Sequence, residues 1–428
     1  MTTRPLISTE IEQAYRRRTP ASAAFVERAK RSLPGGNTRT TVFHPPYPLT
    51  FARGQGPWIW DLDGNRYADL FYNGLSLIHG HAYAPIGQAV SAAIGDGMAL
   101  GSPSPELLQL AELLQGRIAA AERVRFTNSG SEAGMIAARV ARAFTGRPLL
   151  VKAEHAYHGS YPDLEAGLYG VHDMPGRTLV GRFNDLESFE RIVAAHGDQI
   201  AAIVLEPVMF TGRVVTPEPG FLQGVQALAR RNGSLFILDD CLMFRLAEGG
   251  SAGVFGLEPD LVMLGKFLGG GTPMGAVAGR EAVMSILDPR TPGFVFHGGS
   301  FNGNRIGAIA GYTALRDLTA EAIAGMDQRM SRLRQSLVAA AEVAGVAVEV
   351  TGTGSIGGIA FLDDHSRHED DPNALGISML FQLACLNEGV SIGPGGLMAL
   401  ATAVDDEALA HIAGGMGRAL QTLAGAIG

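Results

Sequence analysis

Between about residue 105 and residue 280, short apolar runs alternate with amphipathic stretches, and this alternation restricts the chain more than any other feature. The runs are Val124-Arg125-Phe126, Leu149-Leu150-Val151-Lys152, Ala201 to Leu205, Leu235 to Leu238 and Leu261 to Leu264. Between them, stretches such as Glu132 to Phe144 and Phe221 to Arg231 carry apolar residues at helical spacing. Strands alternating with helices predict an α/β domain around a largely parallel sheet. In open sheets of that kind, ligands bind beyond the carboxyl ends of the strands. Asn128, Glu206, Asp239 and Lys266, each just past or at the end of a run, are therefore the first candidates for a site.

At 428 residues the chain exceeds what one small core accommodates, so a large domain with a smaller one is expected. From about residue 316 the pattern changes to a long helix (Ala320 to Val343), short strands at Val348 to Val350 and Ile359 to Phe361, and two further helices. Near the start, Pro57 to Tyr67 has the form of a hairpin turning at Asp63-Gly64-Asn65. The expected division is an N-terminal segment, 1–70, packing with a small C-terminal domain, 316–428, and a large domain, 71–315.

Charge and composition narrow the partners. No apolar run reaches the roughly 18 residues of a membrane span, and the opening Met1-Thr2-Thr3-Arg4-Pro5 leads into polar sequence without a signal-peptide core. A cytoplasmic protein with no membrane partner is expected. A net charge of −8, with Arg16-Arg17-Arg18 as the one basic block, argues against nucleic acid and for small molecules. Cys241 and Cys385 lack CxxC spacing, so neither a disulfide framework nor a cysteine zinc site is expected. His155 and His158, like His79 and His81, have no third ligand at suitable spacing, so no metal is expected.

Lys266 follows an apolar run and precedes Gly269-Gly270-Gly271. A lysine amine with part of its hydration removed can form a Schiff base, and the glycines would let backbone approach a flat ligand; a surface lysine is the competing interpretation. Asp239-Asp240 could supply the carboxylate that keeps the ring nitrogen of pyridoxal phosphate protonated. Two adjacent buried carboxylates repel, so one would face a cofactor and the other find its own partner. Phe126-Thr127-Asn128-Ser129-Gly130-Ser131-Glu132 leaves a strand and opens a helix, which fits a phosphate cup or an ordinary serine N-cap. Tyr157, after the next strand, could stack on a planar ring. Gly352-Thr353-Gly354-Ser355-Ile356-Gly357 matches GxGxxG, but Gly358 to Leu362 continues as strand where a dinucleotide fingerprint must open a helix. The charged stretch Asp363 to Asp371 has the composition of a solvated loop.

The ordered set Asn128 to Ala133, Tyr157-His158-Gly159, Glu206-Pro207, Asp239-Asp240, Pro259 to Gly271 and Gly298 to Asn304 closely resembles the class III aminotransferases. Leu33 to Arg39 and Asp61 to Tyr67 extend the resemblance over nearly the whole chain. It is strongest to the branch of glutamate-1-semialdehyde aminomutases and β-amino acid (β-phenylalanine) aminotransferases. The resemblance implies a fold-type I transferase with a mostly parallel central sheet in the large domain and a smaller α+β domain. It also implies pyridoxal 5'-phosphate as cofactor and a homodimer with shared active sites.

By the same resemblance, Lys266 would hold the cofactor as internal aldimine and shuttle the proton, and Asp239 would pair with the ring nitrogen. Ser129, Gly130 and Ser131 would hold the phosphate, joined by Ser300 of the neighbouring subunit. Tyr157 would stack on the ring, Cys241 would stand where relatives place a valine, and His158 and Glu206 would complete the cofactor site. Arg39 would bind a substrate carboxylate, whereas Gly395 stands where the β-phenylalanine enzymes have a second arginine. The implied reaction passes an amino group from a β-amino acid or related amine to a 2-oxo acid. The alternatives are a 2,1-aminomutase that moves the amino group within one molecule, and a non-catalytic protein that keeps the fold.

Overall fold

The computed structural model describes residues 9–168, 177–211, 214–362 and 376–427. The chain forms two compact units: Met1–Gly74 with His79–Tyr83 and Ala324–Gly428, and Leu75–Ile78 with Ala84–Ile323. The first unit opens with two helices, Thr9–Arg18 and Pro20–Ala29, followed by three antiparallel strands, β1 (Phe51–Gln55), β2 (Trp58–Asp61) and β3 (Arg66–Asp69). Asp61 Oδ1 shapes the β2–β3 turn by accepting the backbone N–H groups of Asp63 (3.0 Å) and Asn65 (2.8 Å).

The second unit holds a seven-stranded sheet made of β4 (Arg123–Thr127), β5 (Leu149–Ala153), β6 (Thr178–Gly181), β7 (Ile200–Leu205), β8 (Leu235–Asp239), β9 (Leu261–Leu264) and β10 (Gly275–Gly279). Their order across the sheet is β4-β10-β9-β8-β7-β5-β6. Strands β6, β5, β7, β8 and β9 run parallel, and β10 lies antiparallel between β4 and β9. The mostly parallel α/β sheet is the expected one, and each of the five apolar runs is a strand. Sequence patterning had not singled out β6 or β10; β10 is Gly-Ala-Val-Ala-Gly, with none of the bulky residues that mark a strand beyond its single valine.

Both faces of the sheet are covered, which is why its strands read as unbroken apolar runs rather than alternating ones. Leu150, Ala202, Val204, Leu235, Ile237 and Met263 face one way, in a core with Ile136, Ala137 and Val140 of the helix Gly130–Thr145. Val151, Ala153, Ile203, Leu205, Phe236 and Leu238 face the other, against Phe221, Leu222 and Val225 of the helix Phe221–Asn232. At about 1.5–3 kcal/mol per large apolar side chain removed from water, this double layer fixes the register of every strand end.

In the first unit, β11 (Val348–Thr353), β12 (Ile356–Phe361) and β14 (Leu397–Ala399) form an antiparallel sheet, and β13 (Val390–Ser391) joins β3 in parallel. The GxGxxG match lies across the β11–β12 hairpin, with Gly352 paired to Gly357, so it opens no helix. The stretch Asp363 to Asp371 lies outside the described residues. Among the described residues no helix is long and apolar enough to cross a membrane, and no cluster of three or more His, Cys, Asp or Glu could hold a metal ion.

Candidate active site

The carboxyl ends of β4, β9, β8 and β7 lie along one edge of the large sheet, and four of the expected residues extend from them. After β4, Ser129 caps the helix Gly130–Thr145, its Oγ accepting the N–H of Glu132 (3.2 Å). The Asn128 N–H donates to Glu132 Oε2 (2.8 Å), which closes the turn from the other side. The capping leaves the N–H groups of Gly130 and Ser131 at the start of a helix, where unsatisfied donors and the helix dipole favour an anion. The serine N-cap is present, and it is compatible with a phosphate cup at the same turn.

A second segment braces the cup. The Ser160 N–H donates to Ser131 Oγ (3.0 Å). Gly159, at φ +108°, brings that backbone so near that a Cβ on it would stand 2.5 Å from Ser131 Cα. Just before it, Tyr157 is 43% exposed, an aromatic ring left open beside a tightly packed turn. Its hydroxyl lies 3.2 Å from Ser160 Oγ.

His158 points the opposite way. Its side chain is fully buried, and Nδ1–H donates to Asp239 Oδ2 at 2.8 Å. Asp239 Oδ1 accepts the N–H of Cys241 (3.1 Å). Burial works to raise the Asp239 carboxyl, but the hydrogen bond and charge of His158, with the Cys241 N–H, outweigh it and hold the group below its ordinary value. Asp239 is therefore a buried carboxylate kept ionised by design of its neighbours. Asp240 has a separate partner, as expected of the pair: its Oδ2 accepts the Ser251 N–H (3.0 Å), and burial pushes it up to about 7.

Lys266 follows β9 with φ +53°, a left-handed backbone that is rare for a residue with a side chain and that costs of order 1–3 kcal/mol. Such strain is concentrated at functional positions. Its neighbour Gly265 is pressed against the cup: a Cβ there would lie 3.1 Å from Gly130 Cα and 3.3 Å from Cys241 Sγ. The sulfur of Cys241 thus sits among the helix start, the lysine turn and the end of β8. Burial and the charge of Asp239 push its thiol upward, so it remains a neutral, weakly polar group.

Glu206, just past β7, is 5% exposed. Its Oε2 accepts the Phe210 N–H (3.3 Å), while Oε1 is buried and without a partner. Burial, then the charge of Asp239, push it up to about 8. His158 Nε2 and Asn128 Oδ1 are likewise buried and unpartnered. A cup of free N–H groups, a buried carboxylate, an open tyrosine ring, a lysine and several unsatisfied buried polar atoms together suit a phosphorylated, planar, nitrogen-bearing aldehyde. Pyridoxal 5'-phosphate has that chemistry, so the residues fit the group that the sequence implies.

Ser300 is exposed, in the segment between β10 and the helix Arg305–Asp317. In the other unit, Arg39 is exposed, with its N–H held by Asn37 Oδ1 (2.9 Å) after the turn Pro34–Gly36. Gly395 takes φ +67°, with no atom within 4 Å of an added Cβ. An arginine at that position would have room but would be strained in this backbone.

Two features were not foreseen from sequence. Lys152, the last residue of an expected strand, is completely buried, its Nζ donating to the Ala166 carbonyl at 2.6 Å. A charged residue inside an otherwise apolar strand was the available signal, because lysines are almost never fully buried unless paired. The second is an amide chain: Asn128 Nδ2 donates to Asn302 Oδ1 (2.7 Å), and Asn302 Nδ2 lies 2.9 Å from His297 Nε2. It ties the cup to the segment carrying Ser300.

The chain matches the family model for Aminotransferase class-III over residues 41–164 and 170–420. It is 39% identical over 363 residues to the glutamate-1-semialdehyde 2,1-aminomutase of Anaeromyxobacter sp. (strain K), covering 81% of this chain and 84% of that protein. It is 36% identical over 416 residues to the β-phenylalanine transaminase of Variovorax paradoxus, covering 94% of each. Among solved structures, a transaminase with PLP bound superimposes with a TM-score of 0.89 at 32% identity, over 95% of this chain and 98% of that one.

Proposed function

The chain belongs to the class III aminotransferases, which use pyridoxal 5'-phosphate, and from that premise we propose that it moves an amino group from a β-amino acid or related amine to a 2-oxo acid. The observation that carries the substrate class is Arg39. It is an exposed guanidinium on the Gly-Gly-Asn-Thr-Arg turn, without an ion pair to any described residue. A planar fork of donors suits a substrate carboxylate.

When bound, the cofactor supplies an aldehyde that captures amines and a ring that withdraws electrons from the substrate. Lys266 would hold the cofactor through its Nζ and would move the proton at the carbon bearing the donor's nitrogen. Asp239 would hold a negative charge for the ring nitrogen, with His158 keeping that charge in place. Ser129, Gly130 and Ser131 would donate to the phosphate. Tyr157 and Cys241 would hold the ring between them, and Glu206, with Oε1 buried and without a partner, would complete the site.

The assembly would be a homodimer. Ile94, Met98, Leu100, Leu108, Phe296 and Phe301 are each between 48% and 70% exposed, more apolar surface than a lone subunit normally leaves in water. Their segments are joined: Arg305 donates to the carbonyls of Ala93 and Gly97 (each 3.3 Å), and Gly303 packs on Leu107. Ser300 belongs to the same surface and would reach the phosphate bound by the second copy.

An intramolecular 2,1-aminomutase is the second reading, favoured by the 39% identity to an enzyme of that name. Incubating the holoenzyme with β-amino acids, α-amino acids and amines against pyruvate and 2-oxoglutarate separates the two. Release of the donor's oxo product that depends on an external acceptor is expected. Conversion that needs no acceptor would overturn the proposal in favour of the mutase.

A further inference from the structure

Strands β5, β7 and β8 are neighbours, and each has a charged residue within one position of its carboxyl end, on the same face of the sheet. Register fixes the row. Leu205 pairs with Leu238, so Glu206 follows directly opposite Asp239. Lys152 pairs with Val204, two residues before Glu206, and strand alternation turns residues 152, 204 and 206 to one side. That side is the one on which Leu150, Val204 and Ile237 pack against the helix Gly130–Thr145. Lys152, Glu206 and Asp239 thus form a diagonal across three strands, in apolar surroundings that screen charges poorly.

We propose that Lys152 is a positioning residue for the amino-transfer site, its ammonium setting the charge of Glu206 and, through Glu206, the field at Asp239 and Lys266. Lys152 and Glu206 have few other partners. Lys152 Nζ has the neutral Ala166 carbonyl as its hydrogen-bond partner, and Glu206 keeps Oε1 free. The charges facing Lys152 are those of Glu206 and Glu165. Those facing Glu206 are Asp239, Lys152 and Lys266, and Asp239 has His158 on its far side. Burial lowers Lys152 to about 8, the same region to which burial and Asp239 raise Glu206. The Lys152 cation opposes the rise at Glu206, so removing it leaves Glu206 neutral to higher pH.

The inference rests on the cofactor occupying the site as proposed above. Its test is a double-mutant cycle on the holoenzyme, reading the midpoint pH of the visible absorbance change of bound pyridoxal phosphate in wild type, Lys152→Met, Glu206→Gln and the double variant. Lys152→Met should move the midpoint by on the order of one unit, the scale of a unit charge lost roughly 12 Å away at an effective dielectric of about 20. In the Glu206→Gln background the same change should move it little, because the group through which Lys152 acts is gone. Equal shifts in both backgrounds, or none in either, would overturn the role. Methionine preserves most of the volume, and apolar replacement of a buried charge is often tolerated. Should it not fold, Lys152→Arg serves, with a midpoint that must stay at the wild-type value while that of Lys152→Gln moves. A wild-type protein that stays colourless with pyridoxal phosphate would strike the site assignment itself, whereas a coloured one with an unshifted cycle strikes the role of Lys152 alone.

Discussion

Replacing His158 by phenylalanine removes the hydrogen bond that holds Asp239 ionised while keeping a flat ring in the same fully buried position. A hydrogen bond to a charged acceptor is worth about 1.5–3 kcal/mol. At 1.36 kcal/mol per unit, its loss should raise the Asp239 carboxyl by about 1–2 units. Burial already works in that direction, and the hydrogen bonds from the Cys241 side chain and N–H remain to oppose it. A protonated Asp239 cannot stabilise a protonated ring nitrogen, so activity should fail at a higher pH than in the wild type. The acid limb of kcat/KM should move up by about 1–2 units, a loss of roughly ten- to a hundredfold at a pH on that limb. Asp239 is depressed in the folded state, so its contribution to stability is present above its unfolded pKa and lost as pH falls through the folded value. His158→Phe raises the folded value and should therefore also start acid unfolding at higher pH. His158→Gln, which keeps an N–H donor, should fall between the two. An acid limb that does not move, in a folded His158→Phe enzyme that still binds the cofactor, would refute the electrostatic account of Asp239.

Lys266→Ala should abolish turnover and the borohydride-reducible cofactor adduct; retention of that adduct would remove Lys266 from its role. Gly159→Ala places a methyl 2.5 Å from Ser131 Cα on a left-handed backbone. With overpacking of about 1–3 kcal/mol added to backbone strain, cofactor affinity should fall at least about tenfold, and an unchanged dissociation constant would show that the cup does not depend on this brace. Arg39→Ala should raise KM for carboxylate-bearing donors more than for simple amines, and equal effects on both would make Arg39 structural.

The large sheet was legible because its strands are buried on both faces and so written in Val, Leu and Ile, with the polar ends standing out against them. Asn128, Glu206, Asp239 and Lys266 could be singled out on that ground alone. Strand β10 escaped because a strand of Gly, Ala and Val carries little propensity, and its place between β4 and β9 depends on close packing of distant segments. Lys152 escaped for a related reason: its significance lies in which strand lies beside β5, and pairing β5 with β7 is not written in either strand. The ionised state of Asp239 was equally out of reach, since it depends on a histidine whose side chain could have faced either way. Gly352 to Gly357 was correctly set aside because the strand pattern after it contradicted the motif.

The sheet order has a consequence for how the protein must mature. Walking along the functional edge, one meets residues 129, 266, 239, 206 and 152, contributed by β4, β9, β8, β7 and β5. From Lys266 onward the spatial order runs backward through the chain, with β10 inserted between the cup and the lysine. No amino-terminal portion emerging during synthesis can therefore present both the cup and its lysine until the last strand of the sheet has been threaded between them. Cofactor capture at this edge would then act as a checkpoint on completed assembly. A ligand that binds the finished sheet and not its precursors stabilises it by mass action, and cofactor supply would then bear on how much of this protein survives as well as on how fast it works.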